Sequence, residues 1–141
     1  MKKLFFVIIA LVVLLFVIAL FSGLYLKFMP DKNMEKQKAD YVLPANKLFK
    51  EFENNEAKAN KKYMDRIIEV SGNLADISDD QKGAKVVTIK GKNAFSGVLC
   101  TLQEAEAKTL SSYKINEPIK IRGVCTGMLM DVVLNKCIIV E

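Results

Sequence analysis

The hydrophobic pattern divides the chain into an apolar beginning and a mixed remainder. From Leu4 to Leu26 the sequence contains no charged residue, and Lys2, Lys3 and Lys27 flank this run. At about 1.5 Å per helical residue, the run is long enough to cross a bilayer core of roughly 30 Å. We therefore predict that residues 1–28 form a transmembrane anchor. The alternative is a cleaved signal peptide, which has a shorter apolar region followed by small residues at a cleavage site.

The charged flanks bear on the orientation of this anchor. Lys2 and Lys3 favour a cytoplasmic amino terminus, although basic residues also follow the apolar run. A short tail before a long apolar run is typical of a bacterial signal anchor. We expect a single-pass protein of the bacterial inner membrane, with residues 29–141 on the periplasmic or extracytoplasmic side.

A polar stretch and then a helical period follow the anchor. Residues 29–39 show no apolar period and are predicted to form a spacer. Apolar side chains then recur at steps of three and four, at Ala45, Leu48, Phe49, Phe52, Ala59 and Tyr63. We predict an amphipathic helix over residues 40–65, capped by Asp40 and packed on the domain that follows.

From Arg66 the period changes to two, which is typical of β-strands. Strands are predicted from Arg66 onwards and over residues 84–90, 94–101, 118–126 and 132–140. Between the third and fourth strands, Thr101 and Glu104 have capping-box spacing and predict a helix over residues 102–112.

This order predicts a mainly β fold with helices (α+β), in which residues 66–141 form a five-stranded OB-fold barrel. In such a barrel, the helix between strands 3 and 4 closes one end. An open α+β sheet is the alternative, but it would leave strand edges exposed.

Composition limits the chemistry. The chain has 141 residues, a net charge of +5, and neither His nor Trp. Catalytic triads that need an imidazole are therefore excluded, as are metal sites with His ligands. Asp79 and Asp80 are adjacent carboxylates without an identifiable acid–base partner. We expect no enzymatic activity, no metal site and no cofactor.

Two groups of residues, in order along the chain, resemble a known family. The first comprises Asn55, Glu56, Ala59, Tyr63, Ile68, Val70 and Gly72, and the second comprises Gly123, Cys125, Gly127, Asp131, Val132, Leu134 and Cys137, with Cys100 upstream. They resemble the bacterial tRNA_anti-like family of OB-fold proteins over about residues 40–140. The resemblance implies an OB fold with an added N-terminal helix, in membrane-attached or exported proteins without an established biochemical role. Many members are lipoproteins, whereas this chain lacks an N-terminal Cys, so a spanning helix would replace the lipid.

The cysteines are candidates for a disulfide. In the OB strand order, strand 3 lies beside strand 5, and strand 5 lies beside strand 4. Cys100, Cys125 and Cys137 would therefore share one stretch of sheet. Cys125 and Cys137 are out of register, so Cys100–Cys137 is the better pair and Cys100–Cys125 the second. The alternative is that all three are buried free thiols.

The hairpin between strands 4 and 5 carries the candidate contact residues Met128, Leu129 and Met130. Polar turn formers normally dominate such loops, and methionines suit an adaptable contact with a partner chain or with lipid. The alternative is that this tip folds back over the barrel. The strand 2–3 surface adds further candidates, namely Lys85, Lys90, Lys92 and Phe95.

These features predict a membrane-anchored, non-enzymatic binding module that recognises a protein partner at the envelope. Nucleic-acid or oligosaccharide binding through the OB face is the alternative. It is disfavoured because Phe95 and Tyr113 are the only aromatic residues after Ile67, and because the chain beyond the anchor is nearly neutral. A further alternative is a structural subunit whose apolar helix packs against other membrane helices.

Overall fold

A computed structural model describes residues 11–19, 34–90 and 97–141. The chain divides into two compact units, Met1–Lys32 and Asn33–Glu141. In the first unit, residues 11–19 are helical. No helix among the described residues is both long enough and apolar enough to cross a bilayer. Most of the predicted span, residues 4–10 and 20–26, lies outside the described residues.

The second unit contains a closed barrel. Its strands are β1 (Tyr41–Pro44), β2 (Ile67–Asp79), β3 (Lys85–Lys90), β4 (Val98–Leu102), β5 (Pro118–Met128) and β6 (Val132–Val140). The sheet order is β1-β2-β3-β4-β6-β5, and pairing of β2 with β5 closes it. The predicted five-stranded barrel, β2 to β6, is confirmed, and the open sheet is excluded.

Alternation of side chains along β2 explains why this strand lines the barrel. Ile68, Val70 and Leu74 are fully buried at alternate positions. Gly72 continues the same inward face, where a Cβ atom would lie 2.6 Å from Ile89 Cγ2 and 2.8 Å from the Lys90 carbonyl oxygen. Only a glycine allows β2 to approach the end of β3 this closely.

The helix predicted over residues 40–65 is wrong at its beginning, because residues 41–44 form β1. This strand runs parallel to β2, with Tyr41 opposite Ile68 and Pro44 opposite Ser71. The reason is that β3 pairs only with Asn73–Asp79 of β2. β1 therefore supplies backbone partners to an edge that would otherwise remain open.

Asp40 does not cap a helix, contrary to the prediction. Its Oδ2 accepts a hydrogen bond from the Ile67 N–H at 2.9 Å. Its own N–H donates to the Ile67 carbonyl at 2.8 Å. Asp40 thus fixes the register between the beginnings of β1 and β2.

The rest of the predicted helix is two helices, α1 (Ala45–Asn54) and α2 (Glu56–Tyr63). The break falls at Asn55, whose side chain accepts a hydrogen bond from the Lys58 N–H at 2.9 Å and caps α2. Leu48 and Phe52 of α1, like Ala59 and Tyr63 of α2, are buried in the same core as the barrel strands.

The predicted spacer is wrong for its second half, because Met34–Lys36 forms a short 3₁₀ helix that packs on the barrel. Met34 is 1% exposed and lies in a small outer cluster with Ile67 and Ile138. The chain is held there because the Gln37 carbonyl accepts a hydrogen bond from Arg122 at 2.8 Å.

Between β4 and β5, the predicted helix is shorter than expected. A 3₁₀ turn at Glu104–Glu106 leads into α3 (Ala107–Leu110). Thr101 belongs to β4, and Gln103 stands at the N-cap without a side-chain bond, so no capping box forms. The Gln103 N–H donates to the Cys137 carbonyl at 2.9 Å, which keeps this segment extended along β6.

Candidate functional site

The hairpin between β5 and β6 exposes two apolar side chains, Leu129 at 90% and Met130 at 85%. Met128 is half-buried and packs against the core. The predicted tip is thus divided, since Met128 turns towards the barrel while Leu129 and Met130 face solvent.

Hydrogen bonds fix the backbone of this tip. The Leu129 N–H donates to the Asp131 carbonyl at 3.2 Å. Asp131 Oδ1 accepts from the Gly97 N–H at 2.7 Å, and the Val132 N–H donates to the Gly97 carbonyl at 3.2 Å. The tip is therefore anchored to the chain segment just before β4.

The end of α2 extends the apolar surface beside this hairpin. Gly127 has a φ of +107°, and a Cβ atom built there would lie 3.4 Å from both Asn60 Oδ1 and Met64 Cε. Met64 is itself 42% exposed. We refer to Met64, Leu129 and Met130 as the loop-end patch.

The strand 2–3 surface of the prediction corresponds to the outer face of β3 and β4. Lys85 and Lys90 stand at opposite ends of β3 and are not brought together, and Lys85 Nζ is paired with Asp79 Oδ1 at 2.7 Å. Lys92 and Phe95 lie outside the described residues. The half-buried pairs Val86–Thr101 and Thr88–Leu99 occupy the middle of this face, which is therefore largely aliphatic.

The three cysteines are buried and carry free thiols. They lie on β4, β6 and β5, with Cys100 opposite Leu134, Leu102 opposite Cys137, and Leu134 also opposite Cys125. Burial, and then a hydrogen bond with Cys100, raises the pKa of the Cys137 thiol well above its ordinary value. Burial likewise raises the pKa of Cys125. Such thiols are protonated and unreactive at neutral pH. The Cys100–Cys137 disulfide stays a prediction.

A polar cluster that the sequence did not indicate joins α1, α2 and β1. Glu51 Oε2 accepts hydrogen bonds from Lys62 Nζ at 2.8 Å and from the Tyr63 hydroxyl at 2.7 Å. Lys62 Nζ also lies 4.5 Å from the centroid of the Tyr63 ring and 5.6 Å from that of Tyr41. Glu51 and Lys62 belong to different helices, so helical spacing gives no signal for their contact.

The pKa values in this cluster follow from its hydrogen bonds. Those from Lys62 and Tyr63 hold the pKa of Glu51 below its ordinary value. The bond to Glu51 raises the pKa of Lys62, and burial raises that of Tyr63. All three groups satisfy one another, so the cluster braces the helices and offers no free acid or base.

A cleft of about 590 Å³ also escaped the sequence analysis. Its walls come from the ends of β1, β3 and β6, the middle of β2, the beginning of β5 and the loop after α3. Because these segments are far apart in sequence, no local pattern announces it. Among the described residues, no group of three or more Cys, Asp or Glu side chains is arranged to hold a metal ion.

Comparisons with known proteins bear on the whole chain. A family model described as tRNA_anti-like matches residues 1–139. No curated protein matches the sequence at a significant level.

Solved structures share the fold at low sequence identity. A Klebsiella pneumoniae protein described provisionally as a nucleic acid-binding lipoprotein has a TM-score of 0.61 and 16% identity, covering 74% of this chain and 100% of its own. The Stn1–Ten1 complex of S. pombe has a TM-score of 0.42 and 15% identity, covering 53% and 58%. An OBody bound to hen egg-white lysozyme has a TM-score of 0.45 and 14% identity, covering 57% and 86%.

Proposed function

Because the chain belongs to the tRNA_anti-like family of OB-fold proteins, we propose that it is a membrane-tethered module that recognises a protein partner through its loop-end patch. The observation that carries this proposal is the exposure of Leu129 at 90% and Met130 at 85% on a hydrogen-bonded turn.

The tether is supported by the first unit. Each residue from Leu11 to Ile18 is apolar and between 41% and 66% exposed. A helix that is apolar on every face favours a lipid environment over water. The proposal places the span over residues 4–26 of a bacterial inner membrane and residues 29–141 on its outer side.

Recognition by the patch has a simple energetic basis. Removing a Leu or Met side chain from water contributes about 1.5–3 kcal/mol. Because Asp131 already fixes the turn, docking would cost little backbone entropy. Two exposed anchors on a rigid turn therefore suit a small apolar pocket on a partner protein.

The β3–β4 face supports a protein partner over a nucleic acid. Single-stranded nucleic acids stack on aromatic platforms within basic grooves. Neither β3 nor β4 carries an aromatic side chain, and Lys85 is already paired with Asp79. Val86, Thr88 and Leu99 instead offer an aliphatic surface of the kind found in protein interfaces.

Site-specific photocrosslinking in intact membranes tests the proposal. A photoreactive residue at position 129 should give a discrete protein adduct, whereas the same residue at Ile115, which is 48% exposed in the loop before β5, should not. With the captured partner purified, Leu129→Asp should weaken binding at least about tenfold, and Ile115→Asp should leave it unchanged.

Three results would contradict the proposal. They are equal adducts from both positions, adducts with lipid alone, and saturable binding of labelled single-stranded DNA or RNA at low salt that Leu129→Asp abolishes. The last result would instead favour nucleic-acid binding.

A further inference from the structure

The cleft crosses the outer surface of β2 at Ser71–Asn73. It lies at the beginning of β5 and the end of β6, whereas the loop-end patch lies at the opposite ends of these two strands. A ligand in the cleft would therefore not occupy the surface proposed for the protein partner.

The strand pairing explains why the surface opens at this point. The β1–β2 ladder ends at Pro44 opposite Ser71, and the β2–β5 ladder ends at Pro118 opposite Asn73. Pairing of β2 with β3 begins only at Asn73. Because proline has no backbone N–H, neither ladder can continue in the ordinary way past these residues.

The cleft wall carries polar side chains without partners in the described part of the chain. Asn46, Ser71 and Asn73 line it, and none of their side chains is hydrogen-bonded there. Lys90 also lines the cleft and forms no ion pair with any described residue. Lys120 Nζ, by contrast, donates to the Glu141 carbonyl oxygen at 2.5 Å.

An aromatic side chain completes the wall. Tyr113 lines the cleft and is half-buried against the barrel core, so its ring is held in place. It presents a rigid apolar surface beside the amide and hydroxyl groups. The cleft volume of about 590 Å³ falls within the range of roughly 300–1,000 Å³ that is usual for small-molecule sites.

We propose that this cleft binds a short, hydroxyl-rich ligand with a negative charge, of the chemical class of acidic disaccharides. Side-chain amides both donate and accept, so Asn46 and Asn73 can hold neighbouring hydroxyl groups. The Tyr113 ring can pack against the apolar face of a sugar ring. The ammonium group of Lys90 supplies a charge-assisted hydrogen bond to a carboxylate.

A nucleotide fits this wall less well. Tyr113 is the only aromatic side chain among the described lining residues, so a base would be stacked on one side only. The three polar side chains without partners suit several hydroxyl groups better than the edge of a single base. A mononucleotide is therefore the competing ligand in the test.

The test is a titration of the ¹⁵N-labelled full chain in detergent micelles with digalacturonate, followed by NMR. We expect saturable shifts of the backbone amides of Ser71, Gly72 and Asn73. The neutral disaccharide cellobiose should bind about tenfold more weakly. Lys90→Gln should reduce the affinity for digalacturonate by a similar factor, whereas Lys50→Gln, an exposed position on α1 outside the cleft, should not.

The proposal is overturned if digalacturonate and cellobiose bind equally, if both lysine variants behave alike, or if the shifts lie away from the cleft. Tighter binding of adenosine monophosphate with the same amide shifts would overturn the ligand class. None of these outcomes depends on the loop-end patch, so the protein-recognition proposal stands or fails separately.

Discussion

Gly123 lies directly against the Cys137 sulfur on the neighbouring strand. A Cβ atom added at Gly123 would overlap Cys137 Sγ and would lie 3.1 Å from the Asn135 carbonyl oxygen and 3.3 Å from Leu134 Cβ. The need for glycine here comes from packing across β5 and β6, since its φ is not positive. Sequence inspection found both residues, but it gave no indication that they touch.

A double-mutant cycle tests this contact. Gly123→Ala should destabilise the domain by about 1–3 kcal/mol, because it overfills a packed interior. Adding Cys137→Ala should recover part of that loss, since the sulfur that blocks the new methyl group is then gone. Urea unfolding of the wild type and the three variants measures the coupling. Additive effects of the two substitutions would contradict the contact.

At the scale of elements, the barrel strands were predictable because alternation is a local property. β6 begins and ends where the pattern placed it, and the inward set Ile68, Val70, Gly72 and Leu74 was visible in the sequence. β1 was not predictable, because its strand conformation depends on an open edge of β2 many residues later. The division between α1 and α2 depends likewise on capping by Asn55 within an otherwise helical pattern.

The brace between α1 and α2 should make stability depend on pH. Glu51 has an ordinary pKa of 4.5, and its hydrogen bonds lower this value in the folded protein. Its contribution is thus complete above about pH 4.5 and is lost as the pH falls through the lower folded-state pKa. Because Glu51 and Lys62 are partly exposed, we expect at most about 1 kcal/mol.

Glu51→Gln isolates this contribution. The variant should lose stability at pH 7 and differ less from the wild type near pH 3, as measured by urea unfolding. Glu53→Gln, at an exposed position on the same helix, is the matched control and should show no such convergence. An equal difference from the wild type at both pH values would contradict the assigned role of Glu51.

At the scale of the whole molecule, the candidate sites were unevenly predictable. The Met128–Met130 tip was found because an apolar triplet departs from the usual composition of a hairpin loop. The cleft was missed because Asn46, Asn73, Lys90 and Tyr113 meet only after the barrel has closed. Single residues such as Lys90 were identified without the neighbours that give them meaning.

The proposed topology leads to a further expectation. A C-terminal alkaline phosphatase fusion should be active and should remain in the membrane fraction after a carbonate wash, because the apolar run would both export and retain it. Deletion of residues 4–26 should abolish both properties. An inactive phosphatase beside an active cytoplasmic reporter at the same position would reverse the orientation, and release by carbonate would refute the anchor.

The parallel pairing of β1 with β2 also affects the order in which the domain is made. During synthesis, Tyr41–Pro44 leaves the ribosome before α1 and α2, while its partner residues Ile68–Ser71 follow after both helices. β1 must therefore wait, unpaired, until the helical pair has emerged and turned back. The other edge of β2 waits longer still, for Pro118–Val124 of β5. Nascent chains of this domain thus carry unfinished sheet edges until nearly the last strand is translated, the stage at which they are most open to association with one another.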